Sequence, residues 1–233
     1  MSNKNYVVVG GSYGIGLEIV RRLEASQSHV TVLSRTAGEL AQTGAKHFEF
    51  DATSGEVSPE WLPEQIHGLA YCPGSINLGS IRSIKPETML ADYHLNVIGA
   101  VRCLQACLPA MKKSGGASMV MFSTVAVGQG LPMHGSVAAA KGAIEGMTRA
   151  FAAELAPTVR VNCIAPSITD TPLAEKLLSS DQKKAAMGER HPLKRIGTVE
   201  DIASIAEFLL GDQSTWITGQ IMHADGGMST LRV

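Results

Sequence analysis

The chain has 233 residues, of which 45% are hydrophobic and 18% charged, and its formal net charge is −1. This size and composition are typical of a globular protein with a sizeable core. The near-zero charge does not indicate nucleic acid or an anionic membrane as a partner. No apolar run reaches the roughly 18 residues of a membrane-spanning helix, and Met1–Asn5 does not resemble a signal peptide. We therefore expect a cytoplasmic protein.

Short apolar runs alternate with helical patterns along the chain. The predicted strands are residues 6–9, 30–33, 48–50, 69–72, 119–122, 159–164 and 220–223. Ile15, Ile19 and Leu23 have helical spacing, and further helices are predicted near residues 88–108, 136–156 and 198–210, the last opened by a capping box. This alternation predicts an α/β fold in which helices cover both faces of a parallel sheet. Because the sequence contains no repeat or long linker, we predict one domain over residues 1–233.

Glycines cluster between the first predicted strand and the first helix, at Gly10, Gly11, Gly14 and Gly16. Such glycines allow a tight turn and a close backbone approach to a diphosphate, which the N–H groups of the following helix then bind. A plain strand-to-helix turn is the alternative. The four cysteines and seven histidines have no metal-binding spacing, so we predict no metal site, and Cys103 and Cys107, one helical turn apart, are expected to pack in the core.

Several motifs together resemble the short-chain dehydrogenase/reductase superfamily. They are the spacing Gly10-x3-Gly14-x-Gly16, the helix around Lys141, the segment Asn162–Ser167 and the tail His191–Gly197. The tail is similar to that of β-ketoacyl-carrier-protein reductases, and the resemblance covers nearly the whole chain. It implies a single Rossmann-type, doubly wound parallel sheet of about seven strands in the order 3-2-1-4-5-6-7.

The resemblance also implies the site residues. The residues expected to bind the cofactor are Gly10, Ser12, Tyr13, Gly14, Ile15, Gly16, Ser34, Arg35, Asp51, Ala52, Cys72, Gly74, Lys141, Pro166, Thr169 and Thr171. The expected catalytic residues are Asn96, which anchors a relay water in the family, Thr124 in the role of the family's Ser, and Lys141. Ser123 is the candidate next to Thr124 if the register shifts by one residue.

The most informative departure from the family pattern is Val137, which stands four residues before Lys141 in the place of the catalytic Tyr. An isopropyl group cannot donate the proton that a Tyr hydroxyl gives to a nascent alkoxide. His134 lies where enoyl reductases of the superfamily have their Tyr, and its imidazolium is one candidate donor; an exposed loop histidine is the alternative. Lys141 could also polarise the substrate oxygen, directly or through water held by Asn96. Cys72 and Ser167 replace the family's Asn and Gly.

The end of the second strand indicates the cofactor. An acidic residue there would bind the ribose 2′-hydroxyl and select NAD, but the segment has Ser34 and Arg35, and the first acidic residue is Glu39. A guanidinium suits a 2′-phosphate, so we predict NADP(H). A solvated loop arginine is the alternative.

Residues 170–197 match the family's substrate lid, with Leu173, Leu177, Leu178 and Met187 as an expected apolar wall. Two functions remain open. The first is an NADPH-dependent oxidoreductase that acts on a small carbonyl or an activated alkene with an altered proton donor. The second is a catalytically silent NADP(H)-binding protein that serves as a sensor or assembly subunit. By resemblance we expect a homotetramer or homodimer.

Overall fold

The computed structural model describes residues 4–232. The expectation about a signal peptide rests partly on residues 1–3, which lie outside the described part. The strands are β1 (Asn5–Val9), β2 (His29–Ser34), β3 (Lys46–Glu49), β4 (Gly68–Tyr71), β5 (Ala117–Phe122), β6 (Val159–Pro166) and β7 (Ile221–Ala224). The helices are α1 (Gly14–Ala25), α2 (Pro86–Tyr93), α3 (Gly99–Lys113), α4 (Gly135–Leu155), α5 (Asp181–Gly188) and α6 (Val199–Leu210).

The strands form one parallel sheet in the order β3-β2-β1-β4-β5-β6-β7, which confirms the predicted fold class. The order reverses between β1 and β4, and in open α/β sheets ligands bind in the crevice at such a reversal, beyond the carboxyl ends of the strands. Gly10, Arg35 and Cys72 follow directly after β1, β2 and β4. The fold therefore brings three separate sequence motifs to one edge of the sheet.

The core has two halves, one on each face of the sheet. On one face Val7 and Val9 pack with Cys103, Cys107 and other residues of α3 and α4. Both cysteines are free and buried, as their spacing predicted. On the opposite face Val8 packs with residues of α1 and α6. This alternation buries both faces of the central strands and fixes the edge at which their carboxyl ends emerge.

The helix predicted over residues 88–108 is divided. It consists of α2, a π-helical turn at His94–Ile98, and α3. Single π turns inside helices occur frequently at functional sites, and this one carries Asn96. At α6 the predicted capping box is confirmed, because Thr198 and Asp201 each bond the other's backbone N–H.

Two connections differ from an ideal alternation of strands and helices. Residues 50–67, all of them described, join β3 to β4 with one short 3₁₀ turn at Pro59–Trp61 in place of an α-helix, and Trp61 stacks on Phe48 with the ring centroids 5.5 Å apart. The segment after β6 contains α5, which the sequence did not predict. No helix in residues 4–232 is both long and apolar enough to cross a bilayer.

Candidate active site

A cavity of about 370 Å³ opens at the carboxyl edge of the sheet, where β1, β4, β5 and β6 end. Its lining joins residues that the sequence places in different motifs. The predicted site residues that line it are Gly10, Tyr13, Gly14, Ile15, Gly16, Cys72, Gly74, Thr124, His134, Lys141, Pro166, Thr169 and Thr171. The described residues contain no group of three His, Cys, Asp or Glu side chains suited to a metal ion.

The glycine loop is shaped by backbone contacts that exclude side chains. Gly10 and Gly14 have positive φ of 74° and 54°. A Cβ on Gly16 would lie 2.3 Å from the Gly10 carbonyl oxygen, so only glycine fits there. In the described structure no side chain caps the N-terminus of α1. The first backbone N–H groups of α1 are therefore left for a ligand, and an anion is the ligand that such a terminus favours.

Six predicted residues do not line the cavity: Ser12, Ser34, Arg35, Asp51, Ala52 and Asn96. Ser34 is buried, and its hydroxyl donates to the Thr36 carbonyl at 2.9 Å and contacts His47 Nε2 at 3.1 Å. Asp51 is exposed and accepts hydrogen bonds from the Thr53 N–H and hydroxyl, which lower the pKa of its carboxyl. Arg35 is exposed at the end of β2. The hydroxyl of Ser34 is thus already used inside the protein.

Val137 and Lys141 lie one turn apart on α4 and both line the cavity. Both are buried, and among the described residues Lys141 Nζ has no hydrogen-bond partner. Burial lowers the pKa of this ammonium from 10.5 to about 8, against the opposing effects of Cys163, Cys72 and Asp92. Burial also raises the pKa of the Cys72 thiol to about 12, which keeps it neutral beside the lysine. Lys141 therefore changes its charge within a pH range that activity measurements can reach.

Asn96 is held in place by Asp92, a residue that the sequence analysis did not identify. Both side chains are only 1% exposed, and Asn96 Nδ2 donates to the Asp92 carbonyl at 2.8 Å and to Ser75 Oγ at 3.2 Å. Asn96 Oδ1 is buried and has no partner in the described structure. A Cβ on Gly74 would lie 3.5 Å from this oxygen and 3.4 Å from Lys141 Nζ. The space beside Gly74 thus faces an unpaired acceptor and an unpaired ammonium.

The Asp92 carboxylate is itself surrounded by donors. Ser75 Oγ and Asn77 Nδ2 donate to its Oδ1 at 2.5 and 2.6 Å, and Ser136 Oγ donates to its Oδ2. This network ties the loop after β4 to the first turn of α4, where Val137 follows Ser136. Asp92 lies four residues before Asn96, which is one helical turn. This spacing is the signal in the sequence that could have identified Asp92.

Thr124 and Ser123 have different surroundings, although both line the cavity. Ser123 is buried and donates to Glu145 Oε1 at 2.7 Å. Thr124 Oγ1 accepts from the Ala126 N–H at 3.3 Å, which leaves its own proton for a ligand. Of the two hydroxyls, Thr124 is therefore the one able to donate into the cavity.

His134 lies immediately before α4 and is partly buried. Its Nδ1 is 2.7 Å from the Pro132 carbonyl oxygen. Because a carbonyl can only accept, Nδ1 carries a proton and Nε2 is the nitrogen that can exchange one with a ligand. His134 is a loop residue before α4, and its side chain forms part of the cavity wall.

Ser167 and His191 form a hydrogen-bonded pair in the same cavity, and the sequence analysis assigned a site role to neither. His191 Nε2 lies 2.8 Å from Ser167 Oγ, and His191 Nδ1 lies 2.9 Å from the Met187 carbonyl oxygen. His191 is only 3% exposed. The two residues are 24 positions apart, and no local sequence pattern brings them together.

The segment after β6 covers one side of the cavity. Three of the four residues expected in the apolar wall line the cavity: Leu173, Leu177 and Met187. The fourth, Leu178, is buried and does not line the cavity. Thr171 Oγ1 accepts from the Ala174 N–H at 3.3 Å and so begins a short 3₁₀ turn. The cavity is therefore apolar on the side of residues 173–187 and polar around Lys141 and Thr124.

Comparisons with known proteins agree with this arrangement. The family model described as Enoyl-(Acyl carrier protein) reductase matches residues 10–229. Dehydrogenase/reductase SDR family member 4 of Sus scrofa is 31% identical over 247 residues, which cover 99% of this chain and 88% of the relative. The chain is also 31% identical to 2-(S)-hydroxypropyl-CoM dehydrogenase 3 of Xanthobacter autotrophicus over 251 residues, which cover 99% of this chain and 98% of the relative.

A solved structure gives the same result. The ligand-free aldohexose dehydrogenase of Thermoplasma acidophilum matches with a TM-score of 0.88 and 27% identity, covering 99% of this chain and 95% of that one. The family match and the relatives extend over nearly the whole length of the chain. The chain therefore belongs to the short-chain dehydrogenase/reductase superfamily of oxidoreductases.

Proposed function

We propose that this protein is an NADP(H)-dependent oxidoreductase that acts on a small carbonyl or an activated alkene with a proton donor other than the family's Tyr. One observation carries the proposal: the uncapped N-terminus of α1, the Lys141 ammonium and the Thr124 hydroxyl share one cavity. The cavity has an anion site at one end and polarising groups at the other, as a dinucleotide beside a carbonyl requires.

The residues present fit a nicotinamide dinucleotide, the cofactor of the superfamily. Gly16 leaves room for a diphosphate to approach the backbone, and the unpaired Asn96 oxygen faces the space beside Lys141. The proposed cofactor-binding set is the one expected from the sequence, except that Ser34 is occupied by Thr36 and His47. When bound, the nicotinamide supplies or accepts hydride. The protein must hold the substrate oxygen and move the proton.

Arg35 supports a preference for NADP(H) over NAD(H). It is exposed directly after β2, where a guanidinium can bind a ribose 2′-phosphate through charge-assisted bonds. The first acidic residue after it in the chain, Glu39, pairs with Arg21 at 3.7 Å, and Arg35 itself helps to lower the pKa of the Asp51 carboxyl. No carboxylate between Ser34 and Glu39 is available to select NAD.

Val137 sets the limit on the chemistry. It lines the cavity one turn before Lys141, where the superfamily has its Tyr. General acid–base catalysis contributes about 10²–10⁴-fold, or roughly 3–5 kcal/mol of barrier. An active enzyme must recover this contribution from another group. The three original candidates are His134 Nε2, the Lys141 ammonium, and water between Lys141 and Asn96.

A silent NADP(H)-binding protein is the second candidate, and Val137 and Cys72 favour it. Against it stands the retained group of Thr124, Lys141 and Asn96, because a protein that only binds nucleotide has little need of a free hydroxyl beside the lysine. We also propose that residues 1–233 form one domain with a substrate lid at residues 170–197. The homotetramer or homodimer and the cytoplasmic location stay predictions.

A substrate screen tests the proposed function. Small ketones, aldehydes, β-ketoacyl thioesters and enoyl thioesters are incubated with NADPH, and the loss of its absorbance is recorded beside a nucleotide-binding titration. We expect NADPH to bind and at least one carbonyl or enoyl class to be reduced. NADPH binding without turnover of any class would favour the silent binder, and no binding would exclude both candidates.

A further inference from the structure

The pair Ser167 and His191 has the connections of a proton relay. His191 follows α5 and is buried, with both ring nitrogens in hydrogen bonds: Nδ1 to the Met187 carbonyl at 2.9 Å and Nε2 to Ser167 Oγ at 2.8 Å. Ser167 follows β6 directly, and both residues line the cavity that contains Lys141 and Thr124. A buried histidine needs partners for both ring nitrogens, and here the second partner is a hydroxyl that lines the cavity.

The bond to Met187 fixes the tautomer of the His191 ring. The carbonyl oxygen can only accept, so Nδ1 carries a proton in both charge states of the ring. Nε2 is therefore the nitrogen that gains and loses a proton, and it faces Ser167. The backbone of α5 thus fixes the tautomer, as a carboxylate does in a catalytic triad.

The two charge states of His191 give Ser167 two hydrogen-bond patterns. When the ring is neutral, the Ser167 hydroxyl donates to Nε2. When the ring is an imidazolium, Nε2–H donates to Ser167 Oγ, and the hydroxyl proton must find another acceptor. In the structure that acceptor is Met228 Sδ at 3.3 Å. Thioether sulfur is a weak acceptor, so a substrate oxygen in the cavity would take its place.

We propose that Ser167 is the proton donor to the substrate oxygen and that His191 resupplies it, in place of the Tyr that Val137 replaces. The role rests on the proposed oxidoreductase function. In carbonyl reduction the carbonyl carbon gains hydride from the reduced nicotinamide, and the C=O π bond breaks. The oxygen then takes the Ser167 hydroxyl proton while Nε2–H passes its proton to Ser167 Oγ. The products are an alcohol, the oxidised nucleotide and neutral His191, which solvent reprotonates.

Several charged and titratable groups surround His191. Arg190 precedes it and lines the same cavity, with Nη1 3.4 Å from Met187 Sδ. A smaller cavity, also lined by His191 and Ser167, includes Asp225 and the ion pair of Arg195 and Asp201. Both Asp225 oxygens accept backbone N–H groups, from Gly227 and Ser229. His134 and Lys141 line the main cavity, and Lys141, with its pKa of about 8, contributes a separate titration.

His134 has the same fixed tautomer, through Pro132 at 2.7 Å, but its Nε2 has no partner hydroxyl among residues 4–232. Its ring is less buried than that of His191. The two histidines therefore provide a matched comparison, in which only one has a hydroxyl between its ring and the cavity.

Four variants test the relay: Ser167→Ala, Ser167→Thr, His191→Gln and His134→Gln, with exposed His29→Gln as the control. We expect Ser167→Ala and His191→Gln to lower kcat for the best carbonyl substrate about 10²-fold, the loss expected for a general acid. Ser167→Thr should retain most of it, because its hydroxyl remains. In His191→Gln the part of the pH profile of kcat that is due to Lys141 should remain. NADPH affinity should change less than threefold in all four variants.

A measurement without nucleotide tests the geometry by itself. In ¹⁵N spectra of the uniformly labelled, unliganded protein, neutral His191 should show a protonated Nδ1 and an unprotonated Nε2. A proton on Nε2 in the neutral ring would overturn the relay, because Ser167 could then not donate to it. Equal kcat in Ser167→Ala and Ser167→Thr, with the wild type active, would overturn it and leave the proposed function standing. A wild type that reduces no substrate would remove the proposed function, and the catalytic role with it.

Discussion

The glycine loop and the start of α4 line the same cavity, but the loop presents backbone groups to it and α4 presents side chains. In the proposed function the loop binds through backbone N–H groups, and its geometry has positive φ at Gly10 and Gly14 and no room for a Cβ at Gly16. The start of α4 contributes the side chains of Val137 and Lys141, which lie one turn apart. By resemblance, the family's Tyr is expected at the position of Val137. The proposed function therefore rests on backbone geometry at the loop and on side chains at α4.

The proposed function thus assigns binding and proton transfer to different parts of one cavity. In this proposal the dinucleotide lies against the turn from β1 to α1, to which α4 contributes no residue. The proton donor depends on one hydroxyl, which a neighbouring element can replace if it reaches the same oxygen. The following predictions test the two ends separately.

Lys141→Ala should have the largest effect. The change removes the ammonium from the cavity, so it should lower turnover at least 10²-fold, the contribution expected of a group that polarises or protonates the substrate oxygen. The measurement is kcat with NADPH and the best carbonyl substrate. Exposed Lys113→Ala is the matched loss of charge and should leave kcat unchanged. Unaltered turnover in Lys141→Ala would remove this lysine from the mechanism.

Gly16→Ala should disable the binding end. The added Cβ would lie 2.3 Å from the Gly10 carbonyl oxygen, so the loop must shift away from the diphosphate. We expect NADPH affinity to fall about 100-fold, a loss near 3 kcal/mol, as measured by titration of nucleotide fluorescence. Gly116→Ala is the control, because its Cβ would meet nothing within 4 Å. A folded Gly16→Ala protein with wild-type affinity would show that the loop does not bind the diphosphate.

Arg35→Ala should change cofactor preference. Loss of charge-assisted bonds to a 2′-phosphate costs about 1.5–3 kcal/mol, so the Kd for NADPH should rise roughly 10- to 100-fold, while the Kd for NADH stays the same. Arg149→Ala, an exposed arginine on α4, controls for net charge. An equal change in both dissociation constants would mean that Arg35 does not contact the phosphate.

Val137→Tyr should have the smallest effect and the opposite sign. Installing the phenol one turn before Lys141 should raise ketone reduction about tenfold or more, provided that the ring reaches into the cavity. Val137→Phe adds the same ring without the hydroxyl and should give no gain. If both variants behave alike, ring bulk and not the proton explains the result, and the α4 end has diverged further than its sequence indicates.

The sequence was sufficient for the fold and for the backbone part of the site. Alternating apolar runs predicted the strands to within two residues at either end, because a parallel sheet buried on both faces needs such runs. The glycine loop was predictable because its spacing directly encodes a turn. Leu178 was assigned to the cavity wall wrongly, since helical spacing does not show on which side of a lid segment a leucine lies.

Contacts between distant elements could not be predicted. Asp92 of α2 accepts hydrogen bonds from Ser75, in the loop after β4, and from Ser136 of α4. His191 is hydrogen-bonded to Ser167, 24 residues earlier in the chain. Each is an ordinary residue type in its own segment. Only the fold, which brings the residue after β6 against the segment after α5, makes the second pair a candidate relay. Ser34 is a residue whose position in the sequence was misleading. Its place at the end of the second strand indicated phosphate binding, but in the structure its hydroxyl donates to the Thr36 carbonyl.

Thermal unfolding of the purified protein with increasing NADPH, and separately NADH, tests the central claim most directly. A ligand that binds only the folded state raises stability by RT ln(1 + [L]/Kd). NADPH should raise Tm progressively and at lower concentration than NADH does. If neither nucleotide changes Tm up to millimolar concentration, the cavity does not bind a nicotinamide dinucleotide, and both proposed functions are contradicted.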